Sequence, residues 1–184
     1  MIFYFGTFNP IHKGHIEIAE FVSDYYSEML YFVPTYDSPW KPGLKETFDD
    51  RVKMIMLSQQ KVCTIEKELP TPSYTWQTVN EIFETFEMST SRPLKFLIGM
   101  DQFLNLPKWK RADILKEKCS FIVFPRGKEN HDKEIDLLAQ QGYNFHLLDV
   151  PLIDYSSTQV REGNLDMVTG EVKSYILKHS LYNT

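Results

Sequence analysis

Basic residues are too few in this chain to cover a surface that binds nucleic acid. Its 184 residues include 20 lysines and arginines against 25 aspartates and glutamates, which gives a formal net charge of −5. This balance excludes a general polyanion-binding surface, so any recognition of anions has to come from a local basic site. We therefore expect no nucleic-acid partner.

Cysteines and long apolar runs are scarce as well. The two cysteines, Cys63 and Cys119, have no Cys-x-x-Cys spacing and no histidine companion, so we expect both to be reduced and structural. No run reaches the roughly 18 to 20 apolar residues of a membrane span. The sequence enters its first apolar run without a charged leader or cleavage site, and together these absences predict a cytoplasmic protein with no membrane partner.

Internal repeats and low-complexity segments are also missing. With 184 residues and 42% apolar composition, the chain is long enough to bury one sizeable core. We expect a single domain over residues 1–184.

Short apolar runs alternate with helical patterns along the chain. The runs predict six strands, at residues 2–5, 30–33, 62–65, 94–98, 121–124 and 145–148. The intervening patterns predict helices from His15 onward, at 49–59 with Thr47 as its cap, and at 75–86, 112–118 and 133–141. Such alternation is typical of right-handed β-α-β crossovers. We expect an α/β fold, Rossmann-like and doubly wound, with a mainly parallel sheet and helices on both faces.

The most informative segment follows the first apolar run. It is Gly6-Thr7-Phe8-Asn9-Pro10-Ile11-His12-Lys13-Gly14-His15, in which a strand stops at a glycine, turns, and gives way to helical spacing. Helix N-termini carry unpaired N–H groups and a partial positive charge, which favour polyphosphate. His12 and His15 add hydrogen-bond donors at the same point. The segment predicts a nucleoside triphosphate site, although one histidine that caps the turn and one that packs would also fit.

The proline-rich stretch 34–45 predicts a loop that leaves the carboxyl end of a strand, where open α/β sheets bind ligands. Lys41 on this loop either brings a charge to the phosphates or is a solvated lysine.

Arg51 lies near a predicted helix start, where the helix dipole disfavours a positive charge, and this position indicates a partner for it. The carboxylates of Asp49 and Glu46 are candidates for it.

Two further segments also indicate anion or nucleotide contacts. Residues 156–158, Ser-Ser-Thr, predict a helix start whose hydroxyls cap their own backbone or face a phosphate. Capping does not explain Arg161, which offers a charged, planar fork to phosphates. Gly99 allows close approach of the backbone to a nucleotide, while Asp101 either accepts from ribose hydroxyls or caps the next helix.

Further motifs occur in a fixed order: Ser73-Tyr74-Thr75-x-x-Thr78, then Leu97-Ile98-Gly99-Met100-Asp101 with Leu106-Pro107-x-Trp109-Lys110, then Ser156-Ser157-Thr158-x-Val160-Arg161, and finally Tyr175-Ile176 with Leu181-Tyr182. Together with the opening segment, they resemble the bacterial nicotinate-nucleotide adenylyltransferases of the nucleotidylyltransferase superfamily. The resemblance covers the chain from end to end. Two positions depart from the family pattern: Asn9 replaces the usual aspartate, and Trp40 stands where histidine precedes Lys41.

The resemblance implies adenylyl transfer from ATP to nicotinate mononucleotide, which gives nicotinate adenine dinucleotide and pyrophosphate in NAD biosynthesis. It implies Mg²⁺ bound mainly through the ATP phosphates rather than at a protein metal site, and it leaves a homo-oligomer open. The implied catalytic residues are His12, His15 and Arg161. The implied ATP contacts are Gly6, Thr7, Phe8, Lys41, Gly99, Asp101, Ser156, Ser157 and Thr158. The implied nicotinate mononucleotide contacts are Thr75, Leu106, Trp109, Lys110 and Arg126.

Several alternatives remain beside this interpretation. Pantetheine-phosphate adenylyltransferases and cytidylyltransferases share the histidine element, but the Ser-Tyr-Thr and Leu-Pro-x-Trp segments fit neither. Class I aminoacyl-tRNA synthetases share it too, yet this chain has no Lys-Met-Ser-Lys-Ser-like loop and no tRNA-binding extension. A catalytically silent nucleotide sensor is a further alternative. Among single residues, Trp109 would also suit a core anchor and Arg126 a surface position.

Overall fold

The computed structural model of the chain describes residues 1–37, 46–125, 127, 130–150 and 155–183. Within them, six strands form one sheet. They are β1 (Ile2–Gly6), β2 (Leu30–Pro34), β3 (Lys61–Val62), β4 (Leu94–Gly99), β5 (Cys119–Phe124) and β6 (Phe145–Leu147). Their order is β3-β2-β1-β4-β5-β6, and each neighbouring pair is parallel. The predicted α/β architecture is confirmed.

Helices and short 3₁₀ turns connect these strands. The helices in the described ranges are α1 (Lys13–Tyr26), α2 (Phe48–Leu57), α3 (Thr75–Thr85), α4 (Met100–Asn105), α5 (Ala112–Lys118), α6 (Asp132–Gln140), α7 (Ser157–Arg161) and α8 (Gly170–Lys178). The 3₁₀ turns are Ile65–Glu68, Leu106–Lys108, Leu165–Met167 and Leu181–Asn183. Hydroxyl side chains cap three of the helices: Thr47 for α2, Ser156 for α7 and Thr169 for α8.

The sheet is buried on both faces, as a parallel sheet has to be. Alternation along β1 divides the core, since Ile2 and Tyr4 belong to one apolar cluster and Phe3 to the other. The first cluster packs the sheet against α1, α2, α7 and α8, and the second packs it against α3, α4, α5 and α6. The carboxyl ends of the strands are thereby fixed from both sides.

Three predicted boundaries are wrong in an informative way. The first helix begins at Lys13 rather than His15, because the side chain of His12 caps it. The third strand covers Lys61–Val62 rather than 62–65, because it lies at the sheet edge and the chain turns into a 3₁₀ turn at Ile65. Pro34, placed in the loop by the sequence pattern, is the last residue of β2.

Neither cysteine forms a disulfide, and burial raises the pKa of both thiols. A raised thiol pKa keeps the group protonated and unreactive, as expected of structural cysteines. Across the described part of the chain, none of the helices has the length and apolar character needed to cross a membrane.

Candidate nucleotide site

Four strand ends meet at one edge of the sheet. The register pairs Gly6 with Pro34 and Gly99 with Phe124, and pairing of Tyr4 with Leu97 puts Gly99 level with Gly6. The N–H of Thr35 donates to the carbonyl of Gly6 at 3.0 Å, which ties the ends of β1 and β2 together. This carboxyl edge is where open α/β sheets place their ligands.

The loop after β1 folds its phenylalanine back over its glycine. Phe8 has a φ of 48°, in the left-handed region, and its ring is 3% exposed. The ring meets Phe32 edge-on at 4.9 Å and His15 at 5.1 Å between centroids. Because the Phe8 side chain packs inward, Phe8 can present only its main chain to a ligand.

Gly6 is the residue that makes room for this ring. A Cβ added at Gly6 would lie 2.8 Å from the Cζ of Phe8. We expect Gly6→Ala to displace the packed ring at a cost of about 1 to 3 kcal/mol, which lowers Tm by about 2 to 4 °C per kcal/mol in a chain of this size. Differential scanning calorimetry measures the shift. Gly170→Ala is the matched control, since nothing lies within 4 Å of the added Cβ, and an equal loss in both variants would contradict the argument.

The two histidines form a reciprocal cap at the start of α1. His12 Nδ1 accepts from the N–H of His15, and His15 Nδ1 accepts from the N–H of His12, both at 3.3 Å. Their rings stack with centroids 3.6 Å apart. An Nδ1 that accepts carries no hydrogen, so each neutral ring has its hydrogen on Nε2 and is a donor there. Capping and donation to a phosphate are therefore compatible roles for the same side chains.

Helix α7 is attached to the loop after β1 by hydrogen bonds. Arg161 Nη1 donates to the carbonyl of Asn9 at 2.7 Å, and its Nη2 donates to Thr158 Oγ1 at 2.9 Å. Ser157 Oγ donates to the carbonyl of Pro10 at 2.8 Å, while Ser156 caps the helix. Arg161 itself is exposed. The structure thus brings a solvent-accessible guanidinium beside the predicted phosphate loop.

Arg51 lies beneath this loop and is almost fully buried, with 1% exposure. Its guanidinium donates to the carbonyls of Thr7 at 2.7 Å and Tyr36 at 3.2 Å. Burial lowers the pKa of Arg51, and the charges of nearby carboxylates, Glu46 among them, oppose that shift. Of the two candidate partners named from the sequence, Asp49 pairs instead with Lys67 at 3.0 Å.

Gly99 and Asp101 stand where β4 gives way to α4. Gly99 is the buried N-cap residue of this helix, and Asp101 lies exposed in its first turn. The carbonyl of Asp101 accepts from the side chain of Asn105 at 2.8 Å. The exposed carboxylate is thus at the ligand-facing edge of the sheet, level with the loop after β1.

Two of the residues predicted to contact the mononucleotide, Thr75 and Lys110, lie next to or near Tyr74. Thr75 is the first residue of α3, and Lys110 Nζ lies 4.1 Å from the ring centroid of Tyr74. Trp109 is half-buried at the end of the 3₁₀ turn that begins with Leu106, whose side chain is fully buried in the core. The helix N-terminus and the lysine both contribute positive charge to this corner.

Glu66 is a buried carboxylate that sequence reasoning missed. It is 4% exposed and accepts from Tyr36 N at 2.8 Å, Ser73 Oγ at 3.1 Å and Thr78 Oγ1 at 2.8 Å. Burial raises the pKa of Glu66, and these hydrogen bonds act in the opposite direction. Because Ser73 and Thr78 flank Thr75, Glu66 fixes the start of α3. An acidic residue directly after a predicted strand was the only sequence signal for this role.

Three residues of the sequence interpretation, Trp40, Lys41 and Arg126, lie outside the described residues. Within the part that is described, no group of three or more His, Cys, Asp and Glu side chains is arranged to hold a metal ion. Around the loop after β1, His12, His15 and Arg161 offer hydrogen-bond donors to an anion.

Comparisons with known proteins show what this chain is similar to. A model of the cytidylyltransferase-like family matches residues 3–163. A relative from Staphylococcus epidermidis, named "Probable nicotinate-nucleotide adenylyltransferase", is 29% identical and covers 99% of this chain and 96% of its own length. A relative of the same name from Hydrogenobaculum sp. is 31% identical, with 98% and 96% covered. The structure of Plasmodium falciparum nicotinic acid mononucleotide adenylyltransferase complexed with NaAD aligns with this chain with a TM-score of 0.79. The alignment covers 99% of this chain and 96% of that one at 18% identity, which shows a shared fold.

Proposed function

The chain belongs to the cytidylyltransferase-like family and, within it, to the nicotinate-nucleotide adenylyltransferases, and we propose that it joins ATP and nicotinate mononucleotide into nicotinate adenine dinucleotide with release of pyrophosphate. The observation that carries the proposal is the meeting of three donor groups at one sheet edge. These are the capped start of α1, the histidine pair and Arg161.

The reaction needs positioning and charge stabilisation more than it needs a protein nucleophile. The 5′-phosphate of nicotinate mononucleotide attacks the α-phosphorus of ATP in line, and the bond to the β-phosphate oxygen breaks. A phosphate monoester is already an adequate nucleophile, so catalysis consists of alignment and of neutralising charge on the transferring group and the leaving pyrophosphate.

His15 and Arg161 divide this work. The Nδ1 atoms of His12 and His15 serve the helix cap. The two histidines therefore direct their Nε2 N–H donors toward the phosphates, and His15 lies nearest the α-phosphate. Arg161 provides a permanent charge for the β- and γ-phosphates. Thr7 and the main chain of Gly6 and Phe8 hold the nucleotide against the strand end.

Mg²⁺ fits this site as an ion carried by the nucleotide. Magnesium usually keeps several waters and is bound by one or two carboxylates together with substrate phosphates, and among the described residues no group of three or more His, Cys, Asp and Glu side chains could hold it. We infer that the ion is held through phosphates positioned by His12, His15 and Arg161. When bound, Mg²⁺ neutralises part of the charge of the triphosphate.

The corner beside α3 explains a preference for nicotinate. The carboxylate of nicotinate presents only acceptors. These suit the first N–H groups of α3 at Thr75 and the main chain near Lys110. A nicotinamide would turn an NH₂ group toward one of these donors and leave a buried N–H unpaired. Nicotinate mononucleotide is therefore the substrate that this corner fits.

The proposal is tested by supplying the protein with ATP, Mg²⁺ and nicotinate mononucleotide and measuring dinucleotide and pyrophosphate. Nicotinamide mononucleotide should react with a kcat/KM lower by at least about tenfold, since one mismatched buried donor costs about 1 to 3 kcal/mol. Pyrophosphate release with pantetheine phosphate but not with nicotinate mononucleotide would make the assignment wrong. ATP binding without any pyrophosphate release would identify a silent nucleotide sensor instead.

Trp109 is expected to stack on the pyridine ring. We expect Trp109→Ala to raise KM for the mononucleotide about tenfold, because it removes both stacking and apolar contact, while KM for ATP and Tm stay nearly unchanged. Trp109→Phe, which keeps a ring, should lose much less. Steady-state kinetics with each substrate varied in turn measures the effect. A lower Tm with both KM values unchanged would make Trp109 a packing residue.

A further inference from the structure

Asn9 lies in a buried polar cluster that joins three distant parts of the chain. Its Oδ1 accepts from the hydroxyl of Tyr182 at 2.6 Å, and its Nδ2 donates to Glu46 Oε2 at 3.1 Å. The three side chains are 6%, 6% and 7% exposed, respectively. The main-chain carbonyl of the same residue accepts from Arg161 Nη1 at 2.7 Å. Both ends of the carboxamide and the carbonyl of Asn9 are thus engaged.

The partners of Asn9 demand one donor and one acceptor from its side chain. The carboxylate of Glu46 only accepts, so an N–H group has to face it. Burial raises the pKa of Tyr182, so its hydroxyl keeps the proton that it donates to Oδ1. An amide satisfies both partners, whereas a carboxylate at position 9 would offer acceptors to both.

The charge balance around Asn9 points the same way. Glu46 and Glu66 are both less than 10% exposed, and both act through their charge on the buried guanidinium of Arg51. Two buried carboxylates therefore already share this cation. A third carboxylate, directly opposite Glu46, would add like-charge repulsion in a region with little water.

We propose that Asn9 is a positioning residue for Arg161, and that Asn9 and Glu46 work as a matched pair in which one amide faces one carboxylate. The clamped side chain fixes the backbone of Asn9, and its carbonyl in turn aims the guanidinium at the phosphates. Aspartate, the usual family residue at position 9, is then incompatible with glutamate at position 46. It is compatible with glutamine at position 46. The link to phosphates rests on the function proposed above for Arg161.

A double-mutant cycle tests the pair with the variants Asn9→Asp, Glu46→Gln and the combination of both. Asn9→Asp should lower kcat/KM for ATP by at least about tenfold, because two carboxylates then face each other. Glu46→Gln alone should lose only about two- to threefold, since its amide oxygen still accepts from Nδ2. The combined variant should recover to within about threefold of the wild-type value, because the new carboxylate accepts from both the new amide and Tyr182.

Three readouts separate positioning from general damage to the fold. KM for the mononucleotide should change less than about twofold in Asn9→Asp, because contacts remote from a substitution vary independently of it. Thermal unfolding and calorimetric ATP binding, measured without the second substrate, should show the same loss and recovery across the cycle. If the wild-type protein makes no dinucleotide, the proposed function fails, while these two measurements still decide the pairing.

Three outcomes would overturn the inference. They are wild-type behaviour of Asn9→Asp, losses that simply add in the combined variant, and equal increases of both KM values. Should Asn9→Asp fail to fold, recovery of a folded protein by the added Glu46→Gln supports the pair, and failure of the combined variant to fold refutes it.

Discussion

Replacing His15 by alanine should depress kcat by about a hundredfold or more, while ATP affinity weakens much less. A donor aimed at charge that develops in the transition state contributes mainly there, and removing one such donor typically costs 10² to 10³ in rate, as an order of magnitude. Rapid-quench measurement of pyrophosphate release and calorimetric ATP titration give the two quantities. Equal losses in binding and turnover would make His15 a ground-state contact.

The cap formed by His15 calls for two further variants, because alanine removes the cap and the donor together. Asparagine places its side-chain oxygen near the position of Nδ1 and keeps the acceptor for the N–H of His12. Glutamine places its amide nitrogen near Nε2 and keeps the donor. We expect His15→Asn to be stable and as slow as His15→Ala, and His15→Gln to retain more activity at a lower Tm. The reverse order would assign His15 to capping alone.

Removal of Arg161 should have an effect of similar size. We expect Arg161→Ala to lower kcat/KM for ATP about a hundredfold, because a charge-assisted pair with the leaving pyrophosphate is lost. Arg161→Lys should recover little of this, since lysine is a point charge that cannot contact the carbonyl of Asn9, the hydroxyl of Thr158 and a phosphate in one plane. Initial rates at varied ATP provide the measurement.

Thr158→Val is the matched control for Arg161. It removes the hydroxyl that orients Nη2 but leaves the positive charge, so an intermediate loss is expected. Full activity of Arg161→Lys would show that charge alone, rather than the oriented fork, is needed.

Features that depend on neighbouring residues could be predicted from the sequence. Alternation of apolar runs and helical patterns predicted the parallel sheet, and hydroxyl caps such as Thr47 and Ser156 marked helix starts where the structure has them. The segment around His12 and His15 predicted a strand, a turn and a helix start that are all present. The error of two residues at that helix arose because histidine is not among the usual N-cap residues.

Contacts between remote main-chain groups could not be predicted in this way. The sequence indicated a partner for Arg51 and offered Asp49 and Glu46 as candidates, yet its hydrogen bonds go to carbonyls of loops that follow β1 and β2. Every residue has a carbonyl, so no residue type marks such a partner in the sequence. Glu66 was missed for the same kind of reason, because its three donors come from two segments that only the folded sheet brings together.

The bonds that complete the nucleotide site span almost the whole chain, which has a consequence for folding kinetics. Asn9 and Pro10 contact residues that are 147 to 173 positions away. Closing such separations costs more chain entropy than local contacts do, so these bonds form late. During refolding, the sheet is accordingly expected to form before activity returns.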